Sequence, residues 1–299
     1  MSEVVPEIPR SILLASDLGP RSDRALDRAV QLAQAWDAHL VVATIVEPNA
    51  VEARGMLLRD PPDWYRPEDP VHAAERQLLE HVSARDVRVT LRVEAGRPEE
   101  RLLEIAREEG CGLVVTGVAR QESLGRAVLG STVDRLVRRS PQPVLVVRGR
   151  AGAPYRRMAI ASDWSPSCAH AFRTAVELFP AAAISVLHGF DVPMAGLLDV
   201  ARDDMVAAAR EQALAEGRDF VEACRPPGGA SNVSMVVEHA DPSLLMRLYA
   251  GQFPVDLAVV GSHGRSAVFD VLLGSVAQRL VEDSPVDTLV VRDPRARAG

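Results

Sequence analysis

The stretch GSHGRSAVFDVLLGS, Gly261 to Ser275, sets glycines at Gly261, Gly264 and Gly274 and a hydroxyl at Ser275. Gly261 closes the apolar run LAVV, and a strand end without a side chain lets a ligand approach the backbone. Gly264 can take a positive φ in a turn and aim N–H groups inward. Gly274 and Ser275 open the helical stretch SVAQRLVED, whose first N–H groups and positive dipole end would face the same space. Together these features make a phosphate cradle that needs no lysine. That matters here, because the chain contains no lysine and all of its 34 basic residues are Arg. A Walker-type loop needs its Lys and a Schiff base needs an amine, so both chemistries are excluded.

Asp163 ends a second apolar run, AIASD. A carboxylate there can accept from ribose hydroxyls, as acidic residues do in dinucleotide folds, or cap the following helix with Ser165 and Ser167 beside it. Asp270 lies inside the glycine segment, where a carboxylate repels phosphate unless it faces solvent or a divalent cation. His188, His239 and His263 all fall at strand ends in this part of the chain. They are expected to make local hydrogen bonds rather than to hold a metal: His239 and His263 belong to strands far apart in the sheet, while His188 and His263 flank Asp163.

The elements that must position these residues are written twice. LGSTVDRLVRRSPQPVLVVR (129–148) and LGSVAQRLVEDSPVDTLVVR (273–292) share 12 of 20 residues at a shift of 144. ILLASDLGPRSDRALDRAV pairs with MAIASDWSPSCAHAFRTAV at a shift of 146. A repeat this long is a duplicated domain rather than a solenoid. The expected units are 1–150 and 151–299, joined through the polar stretch RGRAGAPYRR. Each reads β-α-β-α-β-α-β-α-β, which implies a parallel sheet covered on both faces. Ser22 is placed to cap the first helix and Gly110 to end the third. The Pro-rich segment EPNAVEARGMLLRDPPDWYRPEDP reads as a surface insertion. The first copy of the glycine segment, GVARQESLGRAVLGS, keeps Gly117, Gly130 and Ser131 but puts Arg120 where Gly264 stands. Asp17 persists. Arg120 would strain a positive-φ position or fill the phosphate space, so altered binding or none is expected in half one.

Composition agrees with two aliphatic α/β units: 299 residues, 47% hydrophobic but only 4% aromatic. A net charge of −7 argues against a basic nucleic-acid face. Cys111, Cys168 and Cys224 are widely spaced, without the CxxC or even-numbered framework of a metal or disulfide site. They read as buried thiols of a reducing compartment. The N-terminus lacks the pattern of a signal peptide, and no apolar run reaches membrane-spanning length, so a cytosolic protein is expected.

The spaced motif Gly261-x2-Gly264-x9-Gly274-Ser275, the Asp at the end of the first strand and the closing SPVDTLVVRD resemble the universal stress protein family. The two copies resemble its tandem members, almost end to end. The resemblance implies a five-stranded parallel sheet of order 3-2-1-4-5 in each half. It also implies edge-to-edge antiparallel pairing of the fifth strands, which in one chain makes a pseudo-dimer; a homodimer of whole chains is left open. In members with the full motif it implies ATP or a related adenine nucleotide, with Mg²⁺ as companion ion. Carried over by position, Asp163 would face the ribose and Gly261 the nucleoside. Gly264, Gly274, Ser275 and the N–H of Val276 would face the phosphates. The implied role is a stress-response sensor or regulator. The alternatives are a module for a partner protein or other small ligand, and a slow ATP hydrolase for which no general base stands out.

Overall fold

The computed structural model describes residues 8–47, 68–83, 85–118, 129–192, 202–225, 232–262 and 273–293. Half one contributes β1 (Ser11–Ala15), α1 (Pro20–Trp36), β2 (His39–Val46), α2 (Pro70–Val82), β3 (Val89–Ala95), α3 (Pro98–Glu108), β4 (Leu113–Gly117), α4 (Ser131–Arg139) and β5 (Val144–Val147). Half two contributes β6 (Arg157–Ala161), α5 (Pro166–Leu178), β7 (Ala183–Phe190), α6 (Arg202–Cys224), β8 (Val233–His239), α7 (Pro242–Gln252), β9 (Leu257–Gly261), α8 (Ser275–Asp283) and β10 (Asp287–Val291). The strands form one ten-stranded sheet of order β3-β2-β1-β4-β5-β10-β9-β6-β7-β8. Within each half the order is 3-2-1-4-5 and all pairing is parallel. Both faces of the sheet are covered. One apolar layer packs α1, α2, α5 and α6 against residues such as Ile12, Leu145, Ile160 and Leu289. The other packs α3, α4, α7 and α8 against Leu13, Val114, Val146 and Val260. Burial on both faces explains why the central strands read as continuous apolar runs rather than alternating ones.

Two details of the first helix differ from expectation. α1 starts at Pro20, with Gly19 in the N-cap position and no side-chain cap. Ser22 is therefore inside the first turn, where its Oγ accepts from Asp17 N at 3.1 Å and donates to Asp17 Oδ1 at 2.5 Å. Pro20 moves the start forward because its fixed φ suits the first helical position. Gly110 follows the last turn of α3 at φ +60°, as expected of a C-terminal glycine.

The halves meet where β5 and β10 run antiparallel, with Leu145 opposite Leu289 and Thr288 opposite Val146. Leu145 and Leu289 are equivalent at the 144-residue shift, so the internal two-fold passes between them. Equivalent arginines then cross the seam: Arg148 donates to the carbonyls of Val281 and of Glu282 (2.8 Å to the latter), and Arg292 to that of Arg139 at 3.4 Å. Each thus meets the negative end of the other half's helix, α8 or α4.

One cluster breaks the symmetry. Asp287 is 4% exposed and stands where half one has Pro143. Its carboxylate accepts from Arg148 N (2.7 Å), Gly149 N (3.1 Å) and Tyr155 Oη (2.5 Å). Arg28 of α1, 5% exposed, pairs with it at 3.4 Å and lies 4.2 Å over the Tyr155 ring. Burial and the neighbouring carboxylate push the Tyr155 hydroxyl well above its usual pKa, so it stays a donor. Removing one member of a buried pair leaves an uncompensated charge. Asp287→Ala is therefore expected to cost about 3–5 kcal/mol in equilibrium urea unfolding. The double variant Arg28→Met/Asp287→Leu should recover most of that loss; a single-variant cost below about 1 kcal/mol would show that the pair is dispensable.

Candidate functional site

Strand order reverses beside the first strand of each half, because β6 pairs with both β7 and β9. Open α/β sheets bind ligands beyond the carboxyl ends of strands at such a switch point. Asp163 sits there, just past the end of β6. Its Oδ1 accepts from Ser165 N and from the Cys168 thiol, both at 3.1 Å. Ser165 is the N-cap of α5, accepting from Cys168 N at 3.3 Å. The carboxylate and the helix start are thus one unit, but the N-cap of α5 is Ser165 rather than Asp163, whose carboxylate holds the backbone N–H of the capping residue instead.

Between them, Trp164 has φ +62°, a conformation that bulky side chains rarely adopt. Ser162 Oγ accepts its N–H at 3.1 Å. Half one builds the same turn: Leu18 has φ +58°, and Ser16 Oγ accepts its N–H at 3.1 Å. The strained turn holds the aspartate in place in both halves. The Trp164 ring stacks on His188 with centroids 4.6 Å apart, and His188 Nδ1 lies 2.8 Å from the carbonyl of Ser162. His188 therefore reaches the Asp163 turn, as its flanking position implies. Gly217 of α6 lets the helix pass over the indole: a Cβ there would lie 2.4 Å from Met235 Sδ and 2.9 Å from the indole ring.

On the other side of the switch point, Gly261 ends β9 in a buried position. A Cβ on it would fall 2.9 Å from Ser167 Oγ and 3.2 Å from the Ser167 backbone. Close packing of α5 against β9 thus requires this glycine, a constraint separate from any ligand approach. Ser262 N donates to Val291 O, and Ser262 O accepts from Gly274 N, both at 2.9 Å. The second bond closes the base of the glycine segment. In half one Val118 N donates to Val147 O at 3.1 Å, but among the described residues no bond from Gly130 closes the loop. Gly274 is the N-cap of α8 at φ −56°, with no side-chain cap. A glycine N-cap offers no side-chain acceptor of its own to the first N–H groups of α8, at Ser275 and Val276, and a helix start of this kind favours an anion. Gly264, His263 and Asp270, with their counterpart Arg120, lie outside the described residues.

Among the sequence candidates, Asp163 and Gly261 thus flank the switch point, and Gly274, Ser275 and Val276 form the start of α8 beyond β9. His239 lies farther out, 3.3 Å from Asp191 at the end of β8. Among the described residues there is no group of three or more His, Cys, Asp or Glu able to hold a metal ion. No described helix is long and apolar enough to cross a membrane. Trp164 was not singled out by sequence, and Cys168 was read only as a buried thiol, not as part of the site. The signal for Cys168 is its alignment with Ser22 at the 146-residue shift: thiol and hydroxyl make the same contact to the aspartate.

The sequence model of the universal stress protein family matches residues 9–148 and again 154–292. A universal stress protein of Mycolicibacterium smegmatis is 26% identical over 301 residues, covering 94% of this chain and 96% of that protein. The crystal structure of a functionally unknown protein from Pseudomonas aeruginosa superposes with a TM-score of 0.67 at 16% identity, covering 95% of this chain and 92% of that one. A universal stress protein from Archaeoglobus fulgidus gives 0.64 at 15% identity, over 95% and 98% of the two chains. The tandem architecture is shared along the whole of these chains.

Burial, then the Asp163 charge, pushes the Cys168 thiol up to about 12, and burial with Glu109 does the same for Cys111. Burial also raises Cys224. A thiol with so high a pKa is neutral at pH 8, with a thiolate fraction on the order of one in ten thousand. The folded protein should therefore resist a disulfide-exchange reagent at pH 8 and release its three thiols only in denaturant. Rapid reaction of a thiol in the folded state would contradict this. Cys168→Ser should preserve the donor to Asp163 and shift stability by less than about 1 kcal/mol.

Proposed function

Because the chain belongs to the universal stress protein family, as a tandem member, we propose that its second half, residues 151–299, binds ATP or a related adenine nucleotide. In this reading the chain acts as a cytosolic sensor or regulator in a stress response. The first half, residues 1–150, is kept for pairing. The observation that carries the proposal is the start of α8, which has no side-chain cap and sits behind a glycine segment closed by the Ser262–Gly274 bond. Half one lacks that closing bond among its described residues and carries Arg120 in place of Gly264.

The roles follow from position. Asp163 accepts from the ribose hydroxyls, and its attachment to the start of α5 keeps the carboxylate from swinging away. Gly261 faces the nucleoside. Gly264, Gly274, Ser275 and the Val276 N–H face the phosphates, whose charge is met by the positive end of α8. Mg²⁺ would share that charge. Among the described residues no side chain near Asp163 is placed as a general base for water, and the proposed role is binding.

Calorimetric titration of nucleotide-stripped full chain with ATP, with and without Mg²⁺, tests this. The expected stoichiometry is one nucleotide per chain. Gly274→Val should abolish binding, and Asp163→Asn should weaken it by about 10–100-fold, the worth of a hydrogen bond to a charged group. Two equivalent sites would show that half one tolerates Arg120. No adenine-nucleotide binding at all would leave a module for a protein partner or other small ligand. Multiple turnover lost in Asp163→Asn while binding survives would make the protein a slow ATP hydrolase.

A further inference from the structure

The equivalent helices α3 and α7 turn opposite surfaces to water. α3 reads PEERLLEIARE and α7 reads PSLLMRLYAGQ. Six of the eleven α3 residues are charged, whereas α7 has Arg247 alone. At the 144-residue shift Leu244, Leu248 and Phe253 stand against Glu100, Glu104 and Glu109, and Gly251 stands against Arg107. Half one covers this face with ion pairs, such as those of Arg101 with Glu104 and Glu108. Half two leaves Leu244 39% exposed, Leu248 57% and Phe253 55%.

Anchoring α7 to the sheet does not need these side chains. Its buried face, with Leu245 and Met246, joins the apolar layer of Ala258 and Val260. Leu244, Leu248 and Gly251 are spaced i, i+4, i+7, so they share the opposite face. Gly251 has no internal reason to be glycine. A Cβ on it would meet nothing within 4 Å, and its φ is not left-handed. A helix favours alanine over glycine at such a position. The missing side chain leaves a notch beside Leu248 where another backbone can approach closely. At the helix end Phe253 is held in place: its ring lies 4.6 Å from that of Tyr249, whose Oη donates to Ser185 Oγ at 2.9 Å. The apolar stripe, its notch and its terminal ring are therefore preformed.

We propose that this face of α7 docks one amphipathic α-helix of a partner protein, which carries an apolar stripe with a carboxylate beside it. Size and charge select that occupant. Leu244, Leu248 and Phe253 together expose roughly 300 Å², in the range where an apolar patch marks an interaction site. That is well short of the roughly 800 Å² per partner of a standard protein interface, so the stripe fits a single helix better than a second folded chain. A second copy of this chain, related by a two-fold axis, would also set Arg247 against its own equivalent beside the axis. Arg247 is exposed and has no carboxylate partner among the described residues, so an acidic residue on the incoming helix completes it. The leucines of the partner helix interdigitate with Leu244 and Leu248, and Gly251 lets its backbone come close. The surface lies on the outside of α7, apart from the Asp163–Gly274 cradle, and does not depend on the nucleotide reading.

The probe is a fluorescein-labelled synthetic helical peptide with Leu at i, i+4, i+7 and i+11, Glu flanking that stripe and polar residues elsewhere. It is titrated with the full chain by fluorescence anisotropy. One control peptide has the same composition with the leucines scattered around the helix; another has Lys in place of the flanking Glu. Saturable binding of the probe is expected with a Kd on the order of 10–100 μM, reasonable for a contact below standard interface size. The scattered peptide should not saturate in that range. Leu248→Glu, a change at an exposed position that leaves the fold intact, should weaken binding at least about 10-fold. Gly251→Leu, which no internal contact opposes, should fill the notch and weaken it by about 5-fold. Arg247→Glu should weaken the Glu-flanked probe by about 3-fold and strengthen the Lys-flanked one. The proposal is overturned if the probe does not saturate, if the scattered peptide binds as well, or if both Leu248→Glu and Gly251→Leu bind like the parent. Sedimentation velocity of the full chain decides the remaining occupant: a dimer that Leu248→Glu dissociates would assign the face to self-association and overturn the proposal equally.

Discussion

The antiparallel pairing of β5 with β10 is the interaction on which the rest of the architecture depends. Each half alone would end in a short, largely apolar edge strand, VLVV or DTLVV, with a row of unpaired backbone groups. Joined, the two edges satisfy each other and both apolar layers run unbroken across the seam. The linker makes this pairing intramolecular, so its effective concentration is set by a short tether rather than by encounter between chains.

The same pairing sets where ligands can be. Because β5 and β10 run in opposite directions, the carboxyl ends of the two parallel half-sheets point to opposite edges of the molecule. The Asp17 turn and the Asp163 turn therefore face away from each other, and any communication between them must pass through the seam. The seam is where symmetry is broken most strongly. Asp287 replaces the equivalent of Pro143, and its carboxylate gathers Arg28 from half one together with Arg148, Gly149 and Tyr155 from the linker. A proline could neither accept these donors nor sit opposite them without leaving Arg28 as a buried unpaired charge. The two halves are consequently not interchangeable, although their cores nearly are.

Around the site, duplication kept geometry and varied chemistry. The turn after the first strand has a left-handed residue in both halves, held by Ser16 or Ser162 and followed by the same contact to the aspartate. The residues placed on that frame differ: Leu18 or Trp164, Ser22 or Cys168, Thr44 or His188. Half one presents small and aliphatic groups at the strand ends, whereas half two presents rings. A frame this conserved within one chain lets each difference be read against its own internal control.

Much of this was legible in the residues. The repeat identified two α/β units, the alternation of apolar runs and helical periods gave the strand sequence, and the family resemblance gave the order 3-2-1-4-5 and the edge pairing. Asp163 was legible as the end of the second half's first strand, and the reversal of strand order beside that strand puts it at the switch point. Local signals failed where a distant partner decides the outcome. Ser22 looked like a helix cap, but Pro20 starts the helix earlier and frees the hydroxyl for Asp17. For Gly261 the sequence suggested room for a ligand, and the fold adds a packing reason that the sequence did not show: the atoms that a side chain would strike belong to Ser167, 94 residues earlier in the chain. Asp287 stood in the sequence only as part of the closing SPVDTLVVRD; the folded seam brings it to Arg28 and Tyr155. The sequence by itself thus determined the elements, their order and the carboxylate and glycines at the strand ends, since these follow from periodicity and backbone chemistry. The tertiary structure alone decided which polar groups are buried together and which glycines are needed for packing, because those depend on contacts between segments more than a hundred residues apart or nearly so.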